Sequence, residues 1–372
     1  MKQSFCDHHI LEIFEKFQEQ NSPLDGFLNN YFRKHKSLGA HDRKNIALTV
    51  YGIIRWQKLL DYLLEKPSWG KRIFAFKNFS WQEFINNSSI PLNVRVSFPE
   101  CYFQLLKEHY GEEQTKNICL VSNQQAPVTV RVNILKISRD QLFSRWEKKY
   151  EVKLTEKSNV GITFLKRENF FGMDEFKQGF FELQDEASQL VAMLIKASSK
   201  HQVLDFCAGS GGKTLAFAPY MKNKGQIHLY DNRPFMLMQA KKRLKRAGIQ
   251  NAQLILDKQR LQKIKVDWLL LDVPCSGSGT LRRNPDSKWR FSLDFLNSLV
   301  QKQREIFKES ISLLKDGGKI VYSTCSILPQ ENEEQIKFFT QEYGLKLVKN
   351  PFFTLPVENG MDGFFGVVLE KK

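Results

Sequence analysis

From about residue 179 to the C-terminus, short apolar runs alternate with amphipathic ones, and this alternation constrains the fold more than any other feature of the chain. Residues 203–206, 226–230, 252–255, 267–271 and 319–322 read as buried strands, while 213–220, 234–247 and 292–314 carry helical spacing. Parallel neighbours need a crossover to return the chain, so this alternation means a doubly wound, largely parallel α/β sheet. In such a sheet ligands sit beyond the carboxyl ends of the strands. The residues that carry chemistry are therefore expected just after each apolar run.

After the first of these strands comes Cys207-Ala208-Gly209-Ser210-Gly211-Gly212-Lys213-Thr214. A glycine-rich turn between strand and helix lets backbone pass close to a ligand, in conformations that a Cβ forbids. A P-loop is the obvious competitor, because Gly212-Lys213-Thr214 ends like Walker A and residues 268–272 resemble a strand closing on a Walker B acid. Walker A needs its first glycine where this chain has Cys207, so the spacing fails. The second strand ends at Tyr230-Asp231, about 20 residues past the turn, where a carboxylate can accept both hydroxyls of a ribose. The turn is not GxGxxG and no second nucleotide-binding half is evident, which favours S-adenosylmethionine over a dinucleotide. Asp257 follows the third strand, where its side chain could reach an adenine edge or equally cap a helix.

Two further strands end in cysteine-bearing turns, Asp272-Val273-Pro274-Cys275 and Ser323-Thr324-Cys325-Ser326. Methylating an unactivated pyrimidine carbon requires temporary addition of a nucleophile to the neighbouring ring carbon, and a thiolate both adds and leaves readily. A free cysteine is commonly a small buried hydrophobe. Two of them in polar turns at one sheet edge point instead to covalent chemistry, and Asp272 would face the same cleft, placed to hydrogen-bond the ring as the adduct forms. The six cysteines lack CxxC spacing, so they indicate neither a zinc site nor a disulfide framework, and reduced thiols are expected.

Upstream the pattern changes twice. Residues 10–65 keep helical spacing until Pro67-Ser68-Trp69-Gly70 breaks it, and 100–121 are helical again. After Asn123–Pro127, residues 128–133 and 161–165 read as strands around a helical stretch at 138–150, a small α+β unit. Lys and Arg outnumber Asp and Glu 56 to 40, a formal charge of +16 that makes an acidic polymer such as nucleic acid the natural partner. No stretch approaches the roughly 20 apolar residues of a membrane span, and the first residues lack a signal-peptide core, so a cytoplasmic protein is expected.

The strings DFCAGSGGKT, LLLDVPCSGSGTLRRNPDSKWR and STCSILPQENEEQI, with Gln184–Gln189 and the closing Met361-Asp362-Gly363-Phe364-Phe365, resemble the motifs of the NOP/Sun family of RNA cytosine-5 methyltransferases. Residues 22–64 more loosely resemble the NusB-like helical domain of the RsmB type within that family, which acts on small-subunit rRNA. The resemblance implies a helical RNA-binding domain over residues 1–75, a helical linker with an α+β subdomain over 97–178, and a Rossmann-like catalytic domain over 179–372. It also implies roles. Cys325 would attack cytosine C6 and Cys275 would help release the adduct, a division that position alone leaves open, since DNA cytosine methyltransferases use the Pro-Cys cysteine as nucleophile. Cys207, Ala208, Gly209, Ser210, Gly211, Gly212 and Lys213, with Asp231, Asp257 and Asp272, would contact S-adenosylmethionine or the groups beside it, with Lys213 close to Asp272. Arg282, Arg283, Lys288 and Arg290 would bind RNA phosphates. Gly209-Ser210 stands where the family usually has Ala-Pro, and Asp257-Lys258 where it usually has Gly-Asp. RNA is the implied partner, with no membrane and no obligate protein partner.

Overall fold

The computed structural model describes residues 4–20 and 22–372, and these group into two compact units. The first comprises the chain up to Gln125 together with Thr280–Phe295; the second comprises Ala126–Gly279 and Leu296–Lys372. Among the described residues no helix is long and apolar enough to cross a membrane.

The first unit is helical. Helices Phe5–Gln18, Leu24–Lys34, Ala40–Leu63 and Trp69–Phe76 bury a stripe that includes Ile13, Phe14, Leu24, Ile46, Val50, Ile53 and Leu59. The break expected at Pro67-Ser68 proves to be a helix start, because Ser68 Oγ accepts from Lys71 N–H and satisfies one of the orphan donors of a first turn. Trp69 then stacks on Phe14 at 4.2 Å between ring centroids. Helices Glu100–Tyr110 and Glu112–Ser122 follow.

Segment Thr280–Phe295 packs into this unit through its polar and aromatic side chains. Trp289 Nε1 donates to Ile54 O at 2.8 Å, and Phe291 stacks on Tyr102 at 4.0 Å. Lys288 is 1% exposed, and its ammonium donates to Arg55 O, Ser97 O and Asn123 Oδ1, each at 2.7 Å. Burial drives its pKa far below the ordinary lysine value. Arg282 is likewise 1% exposed, and Arg290 pairs with Asp286 at 2.9 Å. The expectation that this basic cluster binds phosphates is therefore corrected for Lys288 and Arg282: a buried cation must be matched by protein acceptors, and here Lys288 ties three parts of the helical unit together.

The second unit holds two sheets. Strands β1 (Val128–Val132), β2 (Val152–Leu154), β3 (Gly161–Phe164) and β4 (Phe181–Leu183) form an antiparallel sheet in the order β2-β3-β1-β4. It packs around Trp146, Phe164 and Phe181. The larger sheet contains β5 (Gln202–Asp205), β6 (Gln226–Leu229), β7 (Ala252–Leu254), β8 (Val266–Asp272), β9 (Leu314–Thr324), β10 (Lys346–Leu347), β11 (Phe352–Thr354) and β12 (Phe364–Glu370). Its order is β10-β12-β9-β8-β5-β6-β7, with β11 also paired to β12. Strands β5 to β9 are parallel, as the alternation predicts, and β12 runs antiparallel beside β9. The chain moves from β5 outward to β7 and then returns to place β8 on the other side of β5. That reversal opens the crevice where ligands enter an open α/β sheet.

Candidate active site

A cavity of about 690 Å³ lies over the carboxyl ends of β5, β6 and β8. The turn after β5 forms its floor. Ala208 N–H donates to Tyr230 O and Gly209 N–H to Asp231 Oδ2, both bonds tying the turn to the end of β6. Gly211 has φ +79°, a conformation that disfavours any Cβ, and a Cβ there would meet Ala240 at 3.3 Å. Of the residues expected here, Cys207, Ala208, Gly209, Ser210, Gly212, Lys213, Asp231, Asp272, Cys275 and Cys325 line the cavity. Gly211 shapes the turn from behind. Asp257 is exposed and lines no part of the cavity; its Oδ1 accepts from Gln259 N–H and caps helix Lys258–Gln262. Of the two roles open to it, the structure shows the helix cap.

Asp231 is 5% exposed. Burial alone would raise its pKa, but three bonds from Arg233 and one from Gly209 N–H hold it below the ordinary value, so it stays a carboxylate. Burial pushes the Cys207 thiol well up and keeps it protonated. Lys213 Nζ lies 2.5 Å from Asp272 Oδ2, and Ser323 Oγ donates to Asp272 Oδ1 at 3.2 Å. Asp272 is thereby fixed at the mouth of β8.

Register brings the two thiols together. Asp272 is paired with Ser323 across β8 and β9, and just beyond these residues Cys275 Sγ and Cys325 Sγ lie 3.3 Å apart. The bond to Cys325 and burial both raise the Cys275 pKa well above the ordinary thiol value, so Cys275 holds its proton. The turns are set by groups that residue patterning alone does not mark. Glu331, fully buried, accepts from Ser276 N–H at 2.8 Å and from Ser276 Oγ at 2.6 Å. Gln303 Nε2 bridges Glu331 and Pro274 O, each at 3.0 Å. Asn332 accepts from Thr324 Oγ1 at 2.6 Å and donates to Ser326 O at 2.9 Å, which fixes the other turn.

Asp205, the last residue of β5, also lines the cavity and was not singled out by the sequence. Its Oδ2 accepts from Thr214 Oγ1 at 2.6 Å, while its buried Oδ1 has no protein partner. Burial pushes its carboxyl up to about 7. An orphaned buried acceptor, the carboxylates of Asp231 and Asp272 and an open glycine turn supply the acceptors and negative charge that ribose hydroxyls and a cationic sulfonium require. The residues present fit S-adenosylmethionine.

A family model for the 16S rRNA methyltransferase RsmB/F matches residues 192–369, and one for the ferredoxin-like domain of RsmF/B-like methyltransferases matches residues 98–169. The probable ribosomal RNA small subunit methyltransferase B of Bacillus subtilis is 33% identical over 76% of this chain and 68% of its own length. The ribosomal RNA small subunit methyltransferase B of Proteus mirabilis is 31% identical over 87% of this chain and 72% of its own. The chain spans 60% of the length of the corresponding Synechocystis protein, at 32% identity over 70% of this chain. Among solved structures, PH0851 superposes with a TM-score of 0.80 at 24% identity over 97% of both chains. A methyltransferase homologue from Pyrococcus horikoshii gives 0.65 at 25% identity, over 75% of this chain and 97% of that one. The glycine turn, the strand order and the paired thiols thus stand in a chain that, on these matches, belongs to the RsmB/F family of 16S rRNA methyltransferases.

Proposed function

We propose that this protein is an S-adenosylmethionine-dependent methyltransferase that forms 5-methylcytosine in RNA, with small-subunit rRNA as its substrate, through a transient bond between Cys325 and cytosine C6. The observation that carries this reading is the pair of thiols 3.3 Å apart, facing a cavity lined by the glycine turn and Asp231. The names of the relatives support rRNA as the substrate. Bound S-adenosylmethionine supplies the electrophilic methyl group.

The chain's own residues prepare the ring. Cys275, holding its proton, donates a hydrogen bond that steadies the Cys325 thiolate. Cys325 Sγ adds to C6, and the electron pair displaced from the C5–C6 bond makes C5 nucleophilic. Asp272, held by Lys213 and Ser323, accepts from the ring's amino group, and accepts from the ring nitrogen once that nitrogen takes up a proton from solvent as the adduct forms, so that negative charge does not gather there. Once C5 carries the methyl group, the C5 proton passes to solvent water, and the electron pair of the broken C5–H bond restores the double bond and expels Cys325 Sγ as thiolate. Cys275 lies where it can serve that release.

Incubating the protein with small-subunit rRNA and methyl-labelled cofactor should place label at cytosine C5. Cys325→Ser should lower the rate by on the order of 10³-fold or more. Cys275→Ala should instead accumulate a protein–RNA adduct that survives denaturant. Wild-type turnover by the Cys325 variant would sink the mechanism, and label on another base would sink the substrate assignment.

A further inference from the structure

We propose that His9, Glu12 and His35 of the helical unit form a binding site for a divalent transition-metal ion, best suited to zinc. His9 and Glu12 stand three residues apart on helix Phe5–Gln18 and so share a face. His35 closes helix Leu24–Lys34 and meets them from the neighbouring element. The ligating atoms of these three side chains all lie within 4.8 Å of one another, and no other trio of histidine, cysteine and acidic side chains among the described residues is grouped so closely.

The hydrogen bonds around the trio fix how its side chains point. His35 Nδ1 lies 2.9 Å from Tyr31 O, and a carbonyl can only accept, so this nitrogen carries the proton. Its Nε2 then presents a lone pair to Glu12 Oε2 at 3.9 Å. His9 Nδ1 lies 3.7 Å from the same oxygen. The Tyr31 hydroxyl donates to that oxygen, so His9 Nδ1 in turn donates to the Tyr31 oxygen, and a metal would take the place of these two protons while His35 Nε2 already offers its lone pair. The other carboxylate oxygen, Glu12 Oε1, is held by Lys16, which aims Oε2 into the cluster. A carbonyl fixing one imidazole and an ammonium fixing the carboxylate are the outer contacts that metal ligands ordinarily keep.

The Tyr31 hydroxyl closes the fourth side, bonded to His9 Nδ1 at 2.7 Å and to Glu12. Metal binding displaces the protons that this chain of groups shares and releases them to solvent. Two imidazoles and one carboxylate favour zinc, copper or nickel, whereas magnesium and calcium prefer all-oxygen cages. His9 is nearly buried and the other two ligands are about a quarter exposed, which leaves an entry path. A bound ion would clamp the first helix to the second.

The test uses the full chain, freed of metal by a chelator, with Zn²⁺ titrated against a chromogenic competitor and Co²⁺ added as a spectroscopic probe. One equivalent should bind, raise the unfolding temperature, and give a tetrahedral cobalt spectrum without the thiolate-to-cobalt charge-transfer band that the cysteines would contribute. His35→Ala and Glu12→Gln should each weaken binding by about 100-fold. Exposed His8→Ala should leave binding unchanged, and circular dichroism should show both ligand variants folded. Absence of stoichiometric binding by wild type, a charge-transfer band, or unchanged binding in the folded His35 variant would overturn the assignment.

Discussion

Asp205 stands where β5 gives way to the glycine turn, and its carboxyl is pushed up to about 7 by burial. The ordinary aspartate value lies near 4, so between about 4 and 7 the folded chain binds a proton that the unfolded chain has released. Stability therefore falls as pH rises through that window, and above 7 the whole cost remains. Asp205→Asn keeps an acceptor for Thr214 Oγ1 and cannot ionise. In the cofactor-free protein, the variant should gain stability relative to wild type between pH 5 and pH 8, by about 2.6 kcal/mol. Urea unfolding at the two pH values reads that change directly, and taking the difference cancels the constant cost of burying an amide. An offset that is the same at both pH values would show that Asp205 does not titrate in this window.

At the scale of elements, the site depends on contacts between loops far apart in sequence. Gly279 N–H donates to Cys325 O at 3.0 Å, and Gly363 N–H donates to Gly279 O at 2.8 Å, so both cysteine turns and the approach to β12 are pinned at one point. A Cβ on Gly279 would fall 2.1 Å from Gly363 O, with backbone on both sides and no flexible side chain to yield. Gly279→Ala should cost about 2–4 kcal/mol and lower turnover. Gly26→Ala, in a helix with open space around it, should be neutral or slightly stabilising. Equal melting temperatures for the Gly279 variant and wild type would refute the pinning. The same long-range dependence separates what the sequence shows from what it hides. Strands β5, β6, β8 and β9 are legible as apolar runs bounded by turns, and the three-residue β7 is legible from its place in the strand–helix alternation. Strands β2, β4 and β10 span only three, three and two residues, too few to show a period, and exist because a partner strand supplies their hydrogen bonds. Cys275 and Cys325 follow strand ends, and Asp272 closes β8 beside the Pro-Cys turn, so all three are legible as site candidates. Asp205 also closes its strand, but its role shows only in the burial of its carboxyl, and the buried partnership of Glu331 with Ser276 joins positions 55 residues apart.

Over the whole molecule the charge of +16 points to an RNA partner, but individual cations divide between binding and structure. Arg131, Arg282 and Lys288 are each at most 3% exposed and cannot meet a phosphate where they lie. RNA affinity then rests on exposed lysines and arginines and should be strongly salt-dependent: with about six phosphates neutralised, raising salt from 50 to 200 mM should weaken binding by about 10²–10³-fold. Lys288→Met separates the two classes. It leaves three oxygens, on Arg55, Ser97 and Asn123, without their donor, and should destabilise the protein by about 2–4 kcal/mol. A phosphate contact would behave otherwise, since its loss lowers the slope of log affinity against log salt by nearly one while sparing stability. Filter binding of RNA across a salt series, at a temperature where the variant is folded, distinguishes the outcomes. The Lys288 variant should show the wild-type slope beside a reduced unfolding midpoint. A shallower slope with an unchanged midpoint would return Lys288 to the RNA-binding surface.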